Sequence, residues 1–101
     1  LESVYQAVMI ASLRERGLQV AAEVAVPIRY KGVVIDNAFK AELIIENSLL
    51  IELKSTERAS PVHAKQVLTY LRLLKMPLGL LMNFGQPTFK QGLQRIVNDH
   101  R

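Results

Sequence analysis

The stretch "AELIIENSLLIELKS", residues 41–55, limits what this chain can fold into more than any other. Two apolar, strand-like segments flank the polar break Glu46-Asn47-Ser48, which is the pattern of an antiparallel hairpin. Glu42, Glu52 and Lys54 are set inside those segments. Buried charges are costly unless they are paired, hydrogen-bonded or bound to metal. The hairpin is therefore either a surface element with a charged outer face or the floor of an active site. Register decides between the two. A two-residue Asn47-Ser48 turn would pair Leu43 with Glu52 and send Glu42 to the opposite face. A three-residue loop, Glu46-Asn47-Ser48, sets Glu42 opposite Glu52, and this is the register expected if there is a site. Period-two alternation places Glu52 and Lys54 on one face and Leu53 on the other.

The rest of the chain supplies a frame for that hairpin. "LESVYQAVMIASLRERG" has Leu1, Val4, Tyr5, Val8 and Ser12 at helical spacing and Gly17 as a stop, predicting a helix over about 1–16. "LQVAAEVAVPIRYKG" alternates, with Val20, Ala22, Val24, Val26, Ile28 and Tyr30 expected on one face and Gln19, Glu23 and Arg29 on the other. Pro27 favours an edge or a bulge. Ser60-Pro61 reads as an N-cap followed by proline at the first helical position. The helix it opens has Val67, Leu71 and Leu74 on its apolar face and stops at Met76-Pro77. "LGLLMNF" is short and nearly all apolar, as in a buried parallel strand. "PTFKQGLQRIVN" places Phe89, Leu93, Ile96 and Val97 at helical spacing, predicting a closing helix. The order α-β-β-β-α-β-α gives an α/β chain of the mixed-sheet, α+β kind. Its hairpin joins a right-handed βαβ crossover.

Composition excludes several function classes. With 101 residues the chain is expected to form one domain, and with no Cys it can hold neither a disulfide nor a zinc-thiolate site. No apolar run approaches the roughly 20 residues that span a bilayer, so no membrane partner is expected. The absence of cysteine and of a signal-peptide pattern fits the cytoplasm. The chain starts with Leu1, inside the first helix, so its natural N-terminus is expected to lie upstream. A net charge of +4 is compatible with nucleic acid without demanding it.

The order and spacing of these elements resemble the PD-(D/E)xK nuclease superfamily and, more narrowly, the small bacterial GxxExxY proteins. "LESVY" would carry the end of that name motif in Glu2 and Tyr5. "AELIIENSLLIELKS", "HAKQVLTYL" and "FKQGLQRIVN" follow in the family's order, so the resemblance covers essentially the whole chain. It implies a restriction-endonuclease-like αβββαβ core with a C-terminal helix and metal-dependent hydrolysis of phosphodiester bonds, in DNA before RNA. Glu42, Glu52 and the Leu53 carbonyl would hold Mg²⁺ or Mn²⁺, with Glu2 completing the shell. Lys54 would act on the attacking water or the transition state. Gln66 and Tyr70 would face the same cleft as Lys54 and touch the substrate. The chain departs from the pattern at Glu42, where the superfamily usually has Asp. Mg²⁺ demands near-ideal octahedral geometry, so the longer side chain requires an adapted site, a preference for Mn²⁺, or loss of activity. If the shorter carboxylate suits the metal better, Glu42→Asp should preserve or raise activity.

From the residues alone, the same features have plainer explanations. Tyr70 could be a packed aromatic and Gln66 a satisfied amide. Glu2 could be a favourable acid at a helix start. His63 and His100 have no zinc spacing. Lys65, Arg72, Lys75, Lys90 and Arg95 could contact phosphate or merely solubilise. An inactive nuclease-fold module that binds nucleic acid, or a partner-binding domain with a salt-bridge network, would have the same sequence features. Oligomeric state is not encoded in any pattern found.

Overall fold

The computed structural model describes residues 1–99. Its elements run α1 (Glu2–Glu15), β1 (Val20–Tyr30), β2 (Val33–Ile45), β3 (Leu49–Lys54), α2 (Pro61–Leu74), β4 (Leu78–Asn83), α3 (Phe89–Gly92) and β5 (Leu93–Val97). The strands form a single sheet in the order β1-β2-β3-β4-β5. The β3–β4 pair is parallel and the other three are antiparallel. The mixed α+β architecture expected from sequence is present.

Local signals account for most boundaries. Ser60 caps α2 by accepting a hydrogen bond from the Val62 N–H at 3.3 Å, with Pro61 at the first helical position. At the other end Lys75 is left-handed (φ 57°), and the Met76 N–H returns to the Leu71 carbonyl at 2.9 Å. The buried amide of Asn98 donates to the Met76 carbonyl at 3.1 Å, tying the segment that leaves α2 to the end of β5.

Two apolar clusters lie on opposite faces of the sheet. On the α2 side Val26, Ala41, Ile44, Leu50, Val67, Leu71, Leu81 and Ile96 pack together. On the α1 side are Val20, Leu43, Ile45, Ile51, Leu53 and Met82, covered by Tyr5, Met9 and Leu13. Gly79 has no side chain because α2 crosses close over β4. A Cβ there would lie 2.8 Å from Val67 Cγ1.

Three expectations are corrected. The face of α1 that packs is Tyr5, Met9, Ile10 and Leu13, while Leu1, Val4 and Val8 stay exposed. The apolar spacing was real but divided between two sides of the helix. Strand β1 does not keep one face: Val20 belongs to the α1 side, and Val24 and Val26 to the α2 side. A left-handed Glu23 (φ 54°) between them turns the strand over. Opposite, Ala41 and Leu43 also lie in different clusters, so the switch passes through Glu42.

The predicted closing helix is the third correction. The helical part is only the turn Phe89–Gly92, and Leu93–Val97 then runs as β5, antiparallel to β4. Without β5, the buried strand β4 would be a bare edge. The β-branched pair Ile96-Val97 suits a strand, and Ile96 completes the α2-side core. Among the described residues no helix is long and apolar enough to cross a membrane.

Candidate active site

The hairpin loop between β2 and β3 is Glu46-Asn47-Ser48, and Ile45 pairs with Leu49. Glu46 and Asn47 both have positive φ (52° and 56°), the backbone of a tight hairpin turn, and Ser48 is the extra residue. The pairs Ile44–Leu50 and Leu43–Ile51 follow, so Glu42 comes opposite Glu52. At that point the ladder opens. Backbone pairing stops, and the carboxylates take the place of carbonyls. The Leu53 N–H donates to Glu42 Oε1 at 2.8 Å, and the Glu42 N–H donates to Glu52 Oε2 at 2.6 Å. Each acid thus spends one oxygen bridging the splayed strands, and the second oxygen of Glu42 takes only a long contact from Gln6.

Electrostatics show how poorly compensated the pair is. Glu52 is buried, with 6 % of its surface exposed, and burial pushes its carboxyl from 4.5 up to about 7. The charge of Glu42 adds to that rise. The Glu42 N–H and the Lys54 ammonium oppose it. Glu42 is also raised, by burial first and then by the charges of Glu2 and Glu23, against the pull of the Leu53 N–H and Lys54. The charges of Glu2, Glu23 and Glu42 thus act against ionisation here, opposed by the Lys54 ammonium and by the two backbone N–H groups. Such an acid surplus is what a bound divalent cation would neutralise.

Helix α1 borders the site. Glu2 Oε2 accepts from Ser55 Oγ at 3.4 Å, just past β3. Tyr5 stacks on Phe84, just past β4, with ring centroids 4.1 Å apart. Glu2 and Tyr5 therefore dock one helix onto the loops leaving the two parallel strands. Gln6, one turn after Glu2, donates long hydrogen bonds to Glu42 Oε2 at 3.4 Å and Glu23 Oε2 at 3.5 Å.

Asn83 fixes the same loops from beneath. Its Oδ1 accepts from the Thr56 and Gly85 N–H groups, both at 3.0 Å. Gly85 runs so close to Thr56 that a Cβ would strike its carbonyl, which leaves glycine as the residue that fits.

Lys54 is half-buried and lines a pocket of about 50 Å³ with Ser60, His63, Asn83, Gln91 and Gln94. Gln66 and Tyr70 are one unit: the Gln66 amide donates to the Tyr70 hydroxyl at 2.9 Å. The Tyr70 ring is 4 % exposed and packs against Phe39 at 5.6 Å between centroids. Burial raises the phenol's pKa, as does the charge of Glu52, so the hydroxyl lies within electrostatic reach of the site. Tyr70 is at once a core residue and a neighbour of the carboxylates. His100 lies outside the described residues.

Glu42, Glu52, Lys54 and Glu2 are thus brought to one region with Tyr70 on its core side, and Gln66 is tied to it through Tyr70, but neither Gln66 nor Tyr70 lines the pocket that Lys54 borders. Among the described residues no three His, Asp or Glu side chains gather closely enough to form a metal cluster by themselves. Side chains would supply two oxygens, with backbone and water completing the shell. Mg²⁺ and Mn²⁺, which keep several waters, are suited to that arrangement. Sequence reasoning missed Gln6 and Glu23. Gln6 had a signal, since it lies at i+4 from Glu2 on the same helix face. Glu23 had none, because a left-handed glutamate in an alternating strand leaves no mark in the sequence.

A search of curated proteins finds no match to the chain. Among solved structures it resembles the crystal structure of SSO0001, with a TM-score of 0.70 and 20 % sequence identity. The match covers 99 % of this chain but 52 % of SSO0001, so the chain spans about half the length of that protein. At this identity the likeness shows the fold alone. The family model of the PD-(D/E)XK nuclease superfamily matches residues 1–96. With the αβββαβ order, the opened hairpin and a match over nearly its full length, this chain belongs to the PD-(D/E)XK nuclease superfamily.

Proposed function

We propose that the chain is a divalent-metal-dependent nuclease domain that hydrolyses phosphodiester bonds in DNA, working in the cytoplasm as one member of the GxxExxY group. The observation that carries this reading is the pair Glu42 and Glu52, which face each other across an opened ladder, the second oxygen of Glu42 taken only by a long contact from Gln6. Glu42, Glu52 and the Leu53 carbonyl would hold Mg²⁺ or Mn²⁺. Glu2, turned toward Ser55, would reach the ion through water. A bound cation supplies Lewis acidity and neutralises charge on the scissile phosphate. Lys54, the next inward-facing residue after Glu52, orients the attacking water and stabilises negative charge on the equatorial oxygens of the pentacovalent phosphate. Tyr70, held by Gln66, borders the site from the core side, within reach of the charge of Glu52. Gln66 is the member of that pair left to meet the substrate backbone.

The length of Glu42 supports an adapted site. Its Oε1 reaches the Leu53 N–H, a contact that a shorter acid would leave stretched. Glu42→Asp is therefore expected to lower Mn²⁺-supported cleavage of duplex DNA by about tenfold, the equivalent of one hydrogen bond of about 1.4 kcal/mol. Activity at or above wild type would show that the departure from Asp is a defect instead. Binding without cleavage by wild type, restored by Glu42→Asp, would identify the second reading: an inactive nuclease-fold module that retains its ligand.

A further inference from the structure

Beyond Val26 and Phe39 the β1–β2 ladder leaves the sheet. Strand β3 pairs only with Leu43–Ile45, so residues 27–40 form a two-stranded ribbon with no third strand beside it. The register shifts between Val26 and Ile28, at Pro27, which bends the ribbon where it leaves the core. Its far end is open to solvent: Tyr30 is 64 % exposed and Val33 57 %. Its charges are Arg29, Lys31 and Lys40 against the single acid Asp36.

Where the root of the ribbon passes the end of α2, Pro27, Arg29, Arg72, Leu73 and Lys75 line an open depression of about 390 Å³. Among the described residues none of the three basic side chains there has a hydrogen-bond or ion-pair partner. Three uncompensated cations around one depression repel one another, and a ligand with regularly spaced negative charges relieves that repulsion. The ribbon that borders the depression leads back along β2 toward the carboxylate site. Phe39 lies three residues before Glu42 on β2, about 10 Å along the strand. Its ring packs on Tyr70, two residues before Arg72. A two-stranded ribbon has the width to enter the major groove of B-form DNA and not the narrow, deep one of A-form RNA.

We propose that the β1–β2 ribbon and the Arg29–Arg72–Lys75 groove at its root form the surface that docks double-stranded DNA. The groove takes backbone phosphates, and the Tyr30–Val33 tip enters the major groove. The choice of DNA among polyanions rests on the hydrolytic reading above. The placement of the surface rests on charge and geometry.

The test is fluorescence anisotropy with a short labelled DNA duplex in EDTA, over a salt series, for wild type and for Arg29→Gln/Arg72→Gln/Lys75→Gln. All three positions are exposed, so the variant should fold. With about 0.9 of log–log salt slope per phosphate contact, the variant should lose a slope of about 2–3 and bind on the order of 100-fold more weakly at about 0.1 M salt. Its Mn²⁺-dependent hydrolysis of a small phosphodiester, bis(p-nitrophenyl) phosphate, should match wild type. An RNA duplex of the same sequence should bind wild type more weakly. An unchanged affinity and slope in the triple variant would overturn the proposal, and so would RNA bound as tightly as DNA. Loss of DNA binding in the variant, with no hydrolysis of either substrate by wild type, would uphold the groove while rejecting the hydrolytic reading.

Discussion

Lys54→Ala should lose Mn²⁺-dependent DNA cleavage by a factor on the order of 10²–10⁴, the range expected for a group that acts on the transition state. It should still fold and bind metal. Lys54 lies at the end of β3 and borders a pocket instead of filling the core, so its removal opens no large cavity. The oxygens of Glu42 and Glu52 remain in place. The substitution has one electrostatic side effect: Lys54 favours the charged forms of both acids, so without it both should hold their protons to higher pH. Cleavage measured at several pH values separates the two effects. A loss that is constant across pH identifies Lys54 as acting on the reaction. A loss that vanishes at high pH would reduce it to a partner that keeps the carboxylates ionised.

The second large effect is on stability without metal. Glu52 holds its proton up to about pH 7 when folded but releases it near 4.5 when unfolded. Between those values the native state binds more protons than the unfolded one, so stability must fall as pH rises and level off above about 7. The displacement corresponds to about 3 kcal/mol at its fullest, less whatever relaxation and water entry recover. Glu52→Gln should remove this pH dependence. It can keep the acceptor for the Glu42 N–H while losing the buried charge. In EDTA at pH 8 the variant should therefore unfold at higher urea than wild type. Mn²⁺ should reverse that order, stabilising wild type in proportion to its binding and leaving the variant unmoved. Parallel pH profiles for the two proteins in EDTA would show that Glu52 is not strained by its burial.

How much of this could be read from the sequence follows the range of the forces involved. The hairpin register followed from one polar triplet, because a loop of three residues can place Glu42 opposite Glu52 and a loop of two cannot. The cap of α2 was equally local, written in Ser60-Pro61. The closing segment was misread because Phe89, Leu93, Ile96 and Val97 satisfy helical spacing. Strand β5 forms there because β4 presents an open edge, a fact of tertiary structure. The face of α1 failed for a similar reason. Apolar residues ring the helix, and only the position of Phe84 and the α1-side core selects Tyr5, Met9 and Leu13 over Val4 and Val8. At the site, alternation put Glu52 and Lys54 on one face, and the loop length put Glu42 opposite Glu52. The side-chain-to-backbone bonds that hold the acids apart were not, since they depend on strands opening at a residue where pairing would ordinarily continue.

Everything proposed for the site requires that the two opposed carboxylates hold a metal ion. Isothermal titration of Mn²⁺ into wild type and into Glu52→Gln, at a pH above 7 where Glu52 is ionised, addresses this directly. The expected result is one saturable site in wild type at millimolar concentration or tighter, and no site in the variant. A folded wild type that takes up no Mn²⁺, or a variant that binds it equally well, would contradict the assignment of Glu42 and Glu52 as a metal-dependent nuclease centre.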